Sequence, residues 1–241
     1  MSRLILFSLW IATAYAETTA VYLSWYDDPT RTMAIHWLTR EDDHRDVLTL
    51  GTTPITGAHR AIEERVVHYA FLKDLTPDTD YTFTIGDAPE EFHFRTAPAQ
   101  LTHPVRFVIG GDVYGVKKLF HQMNQVVVAQ DPLFAVLGGD LSYALFEGPI
   151  RTQRRSMRRW VSFLEAWSEQ LRTKEGRLIP FLPVAGNHDL TPFNYDLFFD
   201  FFAFSDKRLY RSVDFGNYLS LFLLDTGHLD PIDGAQTKWL A

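Results

Sequence analysis

The segment LFAVLGGDLSY, residues 133–143, joins an apolar run to two glycines and an aspartate. An apolar run of this length that ends in glycine is typical of a strand buried on both faces. Two further runs have the same form: residues 105–109 lead into Gly110-Gly111-Asp112, and residues 179–185 lead into Gly186-Asn187-His188-Asp189. Helical periodicity separates the runs. The order strand–helix–strand–helix–strand predicts a parallel sheet covered by helices.

Each of the two intervening segments carries a stripe of apolar residues at helical spacing. In the first segment the stripe is Val116, Leu119, Phe120, Met123, Val126 and Val127, and in the second it is Met157, Trp160, Val161, Leu164, Trp167 and Leu171. The second segment also has arginines opposite its apolar face, at Arg151, Arg154, Arg155, Arg158 and Arg159. We interpret these arginines as a solvated helix face, with a rim for an anionic substrate as the alternative.

The chain before this region has strand-like alternation. Val21, Leu23 and Trp25 alternate with three polar or amphipathic residues, and further short runs follow at regular spacing up to residue 95. This pattern predicts an antiparallel β-sandwich over residues 17–98. The segment LTPDTDY, residues 75–81, resembles the corner of fibronectin type III domains, in which the tyrosine hydroxyl hydrogen-bonds to nearby backbone. Residues 97–104 are predicted to be a linker.

Composition restricts the chemistry that the chain can support. The 241 residues carry a formal net charge of −7 and include no cysteine. The negative charge disfavours a general nucleic-acid-binding role. Thiolate zinc sites and iron–sulfur clusters are excluded, so any metal must be held by oxygen and imidazole ligands.

The first residues have the pattern of a signal peptide. Arg3 precedes an almost unbroken apolar run from Leu4 to Ala14, and Ala14-Tyr15-Ala16 fits a cleavage site. We expect residues 1–16 to be removed and the protein to be exported to the periplasm or the extracellular space. The apolar run is shorter than the roughly 20 residues of a membrane span, and we expect no span after cleavage.

Metal-competent side chains follow the three predicted parallel strands. Asp112, Asp140 and Asn187 each come after glycine at a strand end. The carboxyl ends of parallel strands meet at one edge of the sheet, where ligands of open α/β folds bind. Two carboxylates in one crevice repel each other, and a hard cation removes that repulsion. The sequence therefore predicts a metal site at this edge.

Taken in order, Asp112, Gly139-Asp140-Leu141-Ser142-Tyr143 and Gly186-Asn187-His188-Asp189 resemble the signature of calcineurin-like metallophosphoesterases. The form Gly-Asp-x-x-Tyr is similar to that of the purple acid phosphatases, several branches of which carry a sandwich before the catalytic domain. One difference is that Tyr114 stands where the family's first motif has glycine, and Gly115 follows it. The resemblance implies an α/β metallophosphoesterase domain over residues 105–241.

The resemblance also implies a role for each residue of the set. Asp112 and Tyr143 would bind a ferric ion, and Asp140 would bridge it to a second divalent ion of iron, zinc or manganese. Asn187 would bind the second ion. His188 would hydrogen-bond the phosphate or the leaving oxygen of a phosphate ester. The implied activity is hydrolysis of phosphate monoesters by an acid phosphatase-like enzyme.

The family uses three more histidines, from V-x-x-H and G-H-x-H motifs, and neither motif occurs in this sequence. We therefore interpret the chain as a C-terminally truncated member, and we expect an uncovered sheet edge and apolar surface in its α/β part. Two alternatives stay open. One is a phosphodiesterase or nucleotidase of the same superfamily, and the other is a non-catalytic exported fragment whose sandwich binds a partner.

Overall fold

The computed structural model describes residues 17–40, 46–144, 153–190, 195–204 and 206–241. The predicted signal peptide, residues 1–16, lies outside this range. Within it, the strands are β1 Ala20–Ser24, β2 Met33–Arg40, β3 Val47–Leu50, β4 Thr53–Thr56, β5 Ala58–Ile62, β6 Arg65–Leu72, β7 Asp80–Ile85, β8 Glu91–Arg95, β9 Phe107–Gly110, β10 Phe134–Gly138, β11 Phe181–Val184, β12 Arg211–Phe215 and β13 Leu219–Leu223. The helices are α1 Lys117–Ala129, α2 Gln153–Gln170, α3 Tyr195–Phe202 and α4 Ala235–Leu240. None of these helices is long and apolar enough to cross a membrane.

The first eight strands form two antiparallel sheets, in the orders β1-β2-β6-β5 and β4-β3-β7-β8. Their facing residues make one core in which Trp25, Trp37 and Phe94 are fully buried. This is the predicted β-sandwich. At the predicted corner, the Thr76 N–H donates to the Tyr81 hydroxyl over 2.8 Å.

The other face of β1 is covered, which the alternating pattern had not predicted. All five residues of β1 are buried. The Val21 N–H donates to Ser168 Oγ on α2 over 2.8 Å, and the Tyr22 hydroxyl donates to the Phe201 carbonyl on α3 over 2.5 Å. The second face of β1 therefore packs against the α/β part of the chain.

Strands β9, β10 and β11 form the predicted parallel sheet, in the order β11-β10-β9. Helix α2 covers it through the apolar stripe that the sequence indicated, from Met157 to Leu171. The aromatic residues of α3 also pack into the core, with Phe199, Phe201 and Phe202 fully buried. The fold class predicted from the sequence, a β-sandwich followed by an α/β domain, is confirmed.

Helix α1 does not bury the predicted stripe. Phe120 is buried and Val127 is partly buried, but four members of the stripe are exposed, namely Val116, Leu119, Met123 and Val126. Strand β9 lies at the edge of the sheet, and its Ile109 side chain is 69% exposed. The helix instead contacts α2 beside the Asn124–Gln170 hydrogen bond of 2.9 Å. Among the described residues, β9 is therefore an edge strand with exposed apolar side chains beside it, in line with the expected uncovered edge.

Candidate metal centre

Three loops meet at the carboxyl edge of the parallel sheet: loop 1 (residues 111–116), loop 2 (139–144) and loop 3 (185–190). The strand ends are level, because Gly110 pairs with Leu137 and Gly138 pairs with Val184. Backbone bonds then join loop 1 to loop 2. The Asp112 N–H donates to the Gly139 carbonyl over 3.1 Å, and the Val113 N–H donates to the Asp140 carbonyl over 3.2 Å.

Three of the predicted metal ligands have left-handed backbone conformations. The φ angles are +55° at Asp112, +53° at Asp140 and +52° at Tyr143. Aspartate tolerates this region, but tyrosine adopts it at a cost of roughly 1 kcal/mol or more. Residues held in such conformations cluster at functional sites, where the surrounding structure imposes them.

The side chains on loops 1 and 2 contact each other directly. The Tyr143 hydroxyl donates a short hydrogen bond to Asp112 Oδ1. This bond, followed by desolvation and the negative charges of Asp112, Asp140 and Asp189, raises the pKa of Tyr143 to about 12. Without a cation, the phenol therefore keeps its proton at neutral pH and donates it in a hydrogen bond to Asp112.

Loop 3 closes the other side of the site. The His188 N–H donates to Asp140 Oδ1 over 2.9 Å, and the His188 ring stacks on the Tyr143 ring with centroids 4.7 Å apart. Asn187, the residue before His188, is exposed. The structure thus brings together Asp112, Asp140, Tyr143 and His188, and it places Asn187 on the adjoining loop.

Asp189 joins loop 3 to loop 2, a role that the sequence reasoning had not assigned although the residue belongs to the quoted motif. Its fully buried carboxylate accepts from the Leu141 N–H at 2.9 Å, the Ser142 N–H at 3.0 Å and the Gly186 N–H at 3.1 Å. Burial raises the pKa of Asp189 to about 6, although these backbone bonds act in the opposite direction. Asp189 therefore holds loops 2 and 3 together.

Arg159 joins loop 1 to loop 2. Its Nε donates to the Ser142 carbonyl over 3.0 Å, and its Nη2 donates to the Tyr114 carbonyl over 2.8 Å. The guanidinium also lies 5.1 Å from the centre of the Tyr114 ring. The interpretation of this arginine as part of a solvated face was wrong, whereas Arg158 is indeed exposed. The side chains of Arg154 and Arg155, and all of Arg151, lie outside the described part of the structure.

Glycines provide space for these contacts. A Cβ at Gly186 would lie 2.2 Å from Asp140 Oδ1 and 2.3 Å from the Asp140 amide nitrogen. A Cβ at Gly115 would lie 3.2 Å from the Tyr143 ring. Tyr114, which replaces the family's glycine, turns into the core and is 3% exposed. The shifted glycine therefore leaves room for Tyr143 while Tyr114 anchors loop 1.

The donor set suits a hard cation. Two carboxylates, a phenol and an amide oxygen are hard ligands, and neither Asp112 nor Asp140 forms an ion pair within the described residues. No group of three or more His, Cys, Asp or Glu side chains in the described part of the chain could hold a metal ion. The set here depends on Tyr143 and Asn187, which are other residue types. Within the described residues, a first ion would have Asp112, Asp140 and Tyr143 as ligands, and a second ion would have only Asp140 and Asn187.

The one histidine beyond β13 does not join this set. His228 Nδ1 lies 3.1 Å from Asp225 Oδ1, and its N–H donates to the same oxygen over 2.9 Å. The Gln236 amide side chain bonds both the N–H and the carbonyl of Asp225, each at 2.7 Å. These contacts form a closed turn after β13.

Two family models match the chain. The model described as purple acid phosphatase, N-terminal domain, matches residues 18–96, and the model described as calcineurin-like phosphoesterase matches residues 102–240. No solved structure matches.

Curated relatives are similar over parts of the chain. The uncharacterized protein Rv2577 of Mycobacterium tuberculosis is 31% identical over an alignment of 165 residues that covers 58% of this chain and 29% of that protein. Purple acid phosphatase 21 of Arabidopsis thaliana is 27% identical over 53% of this chain and 25% of its own length. Purple acid phosphatase 18 of the same plant is 23% identical over 86% of this chain and 52% of its own length. The chain thus spans at most about half the length of these relatives.

Proposed function

Since the chain belongs to the calcineurin-like phosphoesterase family and carries a purple acid phosphatase N-terminal domain, we propose that it forms part of a phosphomonoesterase with a ferric ion and a second divalent ion. The observation that carries the proposal is the contact between Tyr143 and Asp112 on the loops after β9 and β10. We also propose the domain boundaries 17–98 and 105–241, and export after removal of residues 1–16.

In this proposal, Asp112, Asp140 and Tyr143 hold the ferric ion, and Asp140 and Asn187 hold the divalent ion, which would be iron, zinc or manganese. When bound, two such ions polarise the phosphoryl group and lower the pKa of a water. Binding of the first ion requires the Tyr143 proton to leave the site, since the phenol donates it to Asp112 in the metal-free arrangement. Metal binding should therefore release protons and weaken at low pH.

His188 has a position suited to the hydrogen-bonding role that the resemblance implies. Its backbone is fixed by Asp140, and stacking on Tyr143 fixes its ring. The imidazole can thus donate a hydrogen bond to the phosphate or to the leaving oxygen of a phosphate ester bound over the two loops. Rigid placement of this kind contributes to catalysis by orienting the reacting groups.

The experiment that tests the iron assignment is visible spectroscopy after addition of ferric iron. Phenolate bound to ferric iron should give a charge-transfer band, and Tyr143→Phe should remove it. Tyr218→Phe is the matched control, because the Tyr218 hydroxyl has no hydrogen-bond partner within the described residues. A band that persists in Tyr143→Phe would refute the ferric role of Tyr143, while the family assignment would stand.

Activity separates the remaining alternatives. The 241-residue chain lacks the V-x-x-H and G-H-x-H motifs, so we expect it to hydrolyse phenyl phosphate poorly even with iron and zinc supplied. This absence is also what favours the second candidate, a non-catalytic fragment. Robust hydrolysis that Asp140→Ala abolishes would rule out the fragment hypothesis. Faster hydrolysis of a phosphodiester than of phenyl phosphate would favour the phosphodiesterase alternative.

A further inference from the structure

A cavity of about 520 Å³ lies between the sandwich and the α/β part, away from the three metal-centre loops. One wall comes from β2, β6 and the residues after β1, and the other comes from the residues after α3, strand β12 and helix α4. Its aromatic lining residues are Tyr26, Phe71, Phe204, Tyr210 and Trp239. Ligand pockets are commonly of this size and lined by apolar and aromatic groups with a few polar ones.

Arg211, on β12, is the unusual polar residue of this cavity. Its Nη1 and Nη2 are buried and have no hydrogen-bond partner within the described part of the chain. The guanidinium lies 4.3 Å from the centre of the Phe204 ring and 5.7 Å from that of Tyr26. Burial lowers the pKa of Arg211 to about 10, so the group stays charged at neutral pH.

The charges around the cavity do not neutralise Arg211 by contact. Asp206 is already paired with Arg208, whose Nη2 lies 2.6 Å from Asp206 Oδ2. Asp27, the other carboxylate that lines the cavity, accepts the Asp28 N–H over 2.8 Å. Lys73 adds a further positive charge to the lining. The cavity thus has three basic and two acidic side chains, and its buried cation is the one without a direct partner.

We propose that this cavity binds an organic anion, namely a carboxylate or phosphate group carried on a planar apolar body. Because Nη1 and Nη2 are buried in the ligand-free arrangement, the Arg211 guanidinium would turn from the Phe204 ring into the cavity, where it would take the anionic group through two parallel hydrogen bonds, the geometry that arginine forms with carboxylates and phosphates. The apolar body would lie among the aromatic side chains of the lining. This site shares no residue with loops 1 to 3, so its occupant is distinct from the substrate of the metal centre.

The unpaired guanidinium gives the proposal a consequence that does not depend on the ligand's identity. A buried charge without hydrogen bonds destabilises the folded protein. If Arg211 serves to bind an anion, replacing it by methionine should leave the ligand-free protein as stable or more stable. If Arg211 serves only to stack on Phe204 and Tyr26, the same change should lower the melting temperature.

The test uses the full chain with a metal chelator present, so that the metal centre does not retain anions. The probes are benzoate, phenylphosphonate and the neutral benzamide, titrated by calorimetry and by thermal shift. We expect benzoate or phenylphosphonate to bind. Benzamide should bind at least about tenfold more weakly, because a charge-assisted hydrogen bond is lost. Binding of benzoate alone or of phenylphosphonate alone identifies the anionic group.

Variants connect the binding to the cavity. Arg211→Met should abolish binding of both anions, and Arg211→Lys should weaken it, since lysine keeps the charge but loses the planar pair of donors. Arg158→Met, a loss of the same charge at an exposed position of α2, should bind like the wild type. Three results would overturn the proposal. The Arg211→Met variant could bind the anions as tightly as the wild type does, benzamide could bind as tightly as the anions do, or the wild type could bind neither anion.

Discussion

The sandwich corner and the metal-centre loops hold aspartates in the same left-handed backbone conformation, but the carboxylates have different surroundings. In the sandwich corner Asp78 has a φ of +53°, and in the metal-centre loops Asp112 and Asp140 have φ angles of +55° and +53°. The Asp78 carboxylate accepts hydrogen bonds from Arg95 at 2.9 and 3.1 Å. The carboxylates of Asp112 and Asp140 have no basic partner within the described residues.

The difference separates an aspartate whose charge is neutralised by an arginine from the two aspartates that we propose as metal ligands. An arginine lies near Asp78 in the corner, and another lies near Asp112 and Asp140 in the loops. In the sandwich Arg95 pairs with the carboxylate, whereas in the α/β part Arg159 bonds the carbonyls of Tyr114 and Ser142. The negative charge of Asp78 is thus neutralised in the corner, whereas the charges of Asp112 and Asp140 remain available for a cation to neutralise.

The largest expected effect comes from removing the arginine that fixes the loops. Arg159→Met should lower the free energy of unfolding by about 2–3 kcal/mol, because two partly buried carbonyls lose charge-assisted hydrogen bonds. Metal affinity should fall by about tenfold, since loops 1 and 2 would no longer be held together. Urea unfolding measures the first quantity, and calorimetric titration with ferric iron measures the second.

Arg158→Met is the matched control, because Arg158 precedes Arg159 on α2 but is exposed. Its effect on unfolding should stay within about 0.5 kcal/mol. A loss of stability in Arg159→Met with unchanged metal affinity would show that the arginine supports the fold without positioning the ligands.

The second prediction compares the same substitution, aspartate to asparagine, at Asp78 and at Asp112. Without metal, Asp78→Asn should lower the free energy of unfolding by about 0.5 kcal/mol, since the Arg95 pair is about one-third exposed and screened by solvent. Asp112→Asn should leave it unchanged or higher, because it removes negative charge near Asp140. With ferric iron added, the order should reverse: thermal stabilisation by the metal should be kept in Asp78→Asn and lost in Asp112→Asn.

Stability that falls equally in the two variants without metal would contradict the comparison. So would metal stabilisation that Asp112→Asn retains, since the site would then not depend on the uncompensated carboxylate.

The sequence predicted what depends on periodicity and on strand ends. The parallel order of β9, β10 and β11, and the approach of Asp112 to Tyr143, follow from apolar runs that end in Gly-Asp. The tyrosine corner follows from its local spacing. These features are local or imposed by the handedness of crossover connections, so they can be predicted without knowing which surfaces pack together.

Features that depend on packing between distant segments were not predicted. The covering of the second face of β1 was not predicted, because alternation alone does not show that α2 and α3 pack on it. Arg159 was interpreted as solvated because its partners are carbonyls, which leave no signal in a pattern of side chains. The stripe on α1 was predicted to be buried, but edge strand β9 offers no surface that covers it.

The smallest expected effect concerns the corner itself. Tyr81→Phe removes the oxygen that accepts the Thr76 N–H, and it should lower the free energy of unfolding by about 0.5–1 kcal/mol, since water can replace the lost acceptor at this exposed turn. The control is Tyr218→Phe, whose hydroxyl is buried without a hydrogen-bond partner in the described part of the chain; its removal should be neutral or stabilising. Urea unfolding of both variants measures the difference. Equal effects would show that the hydrogen bond between Thr76 and Tyr81 contributes nothing measurable to stability.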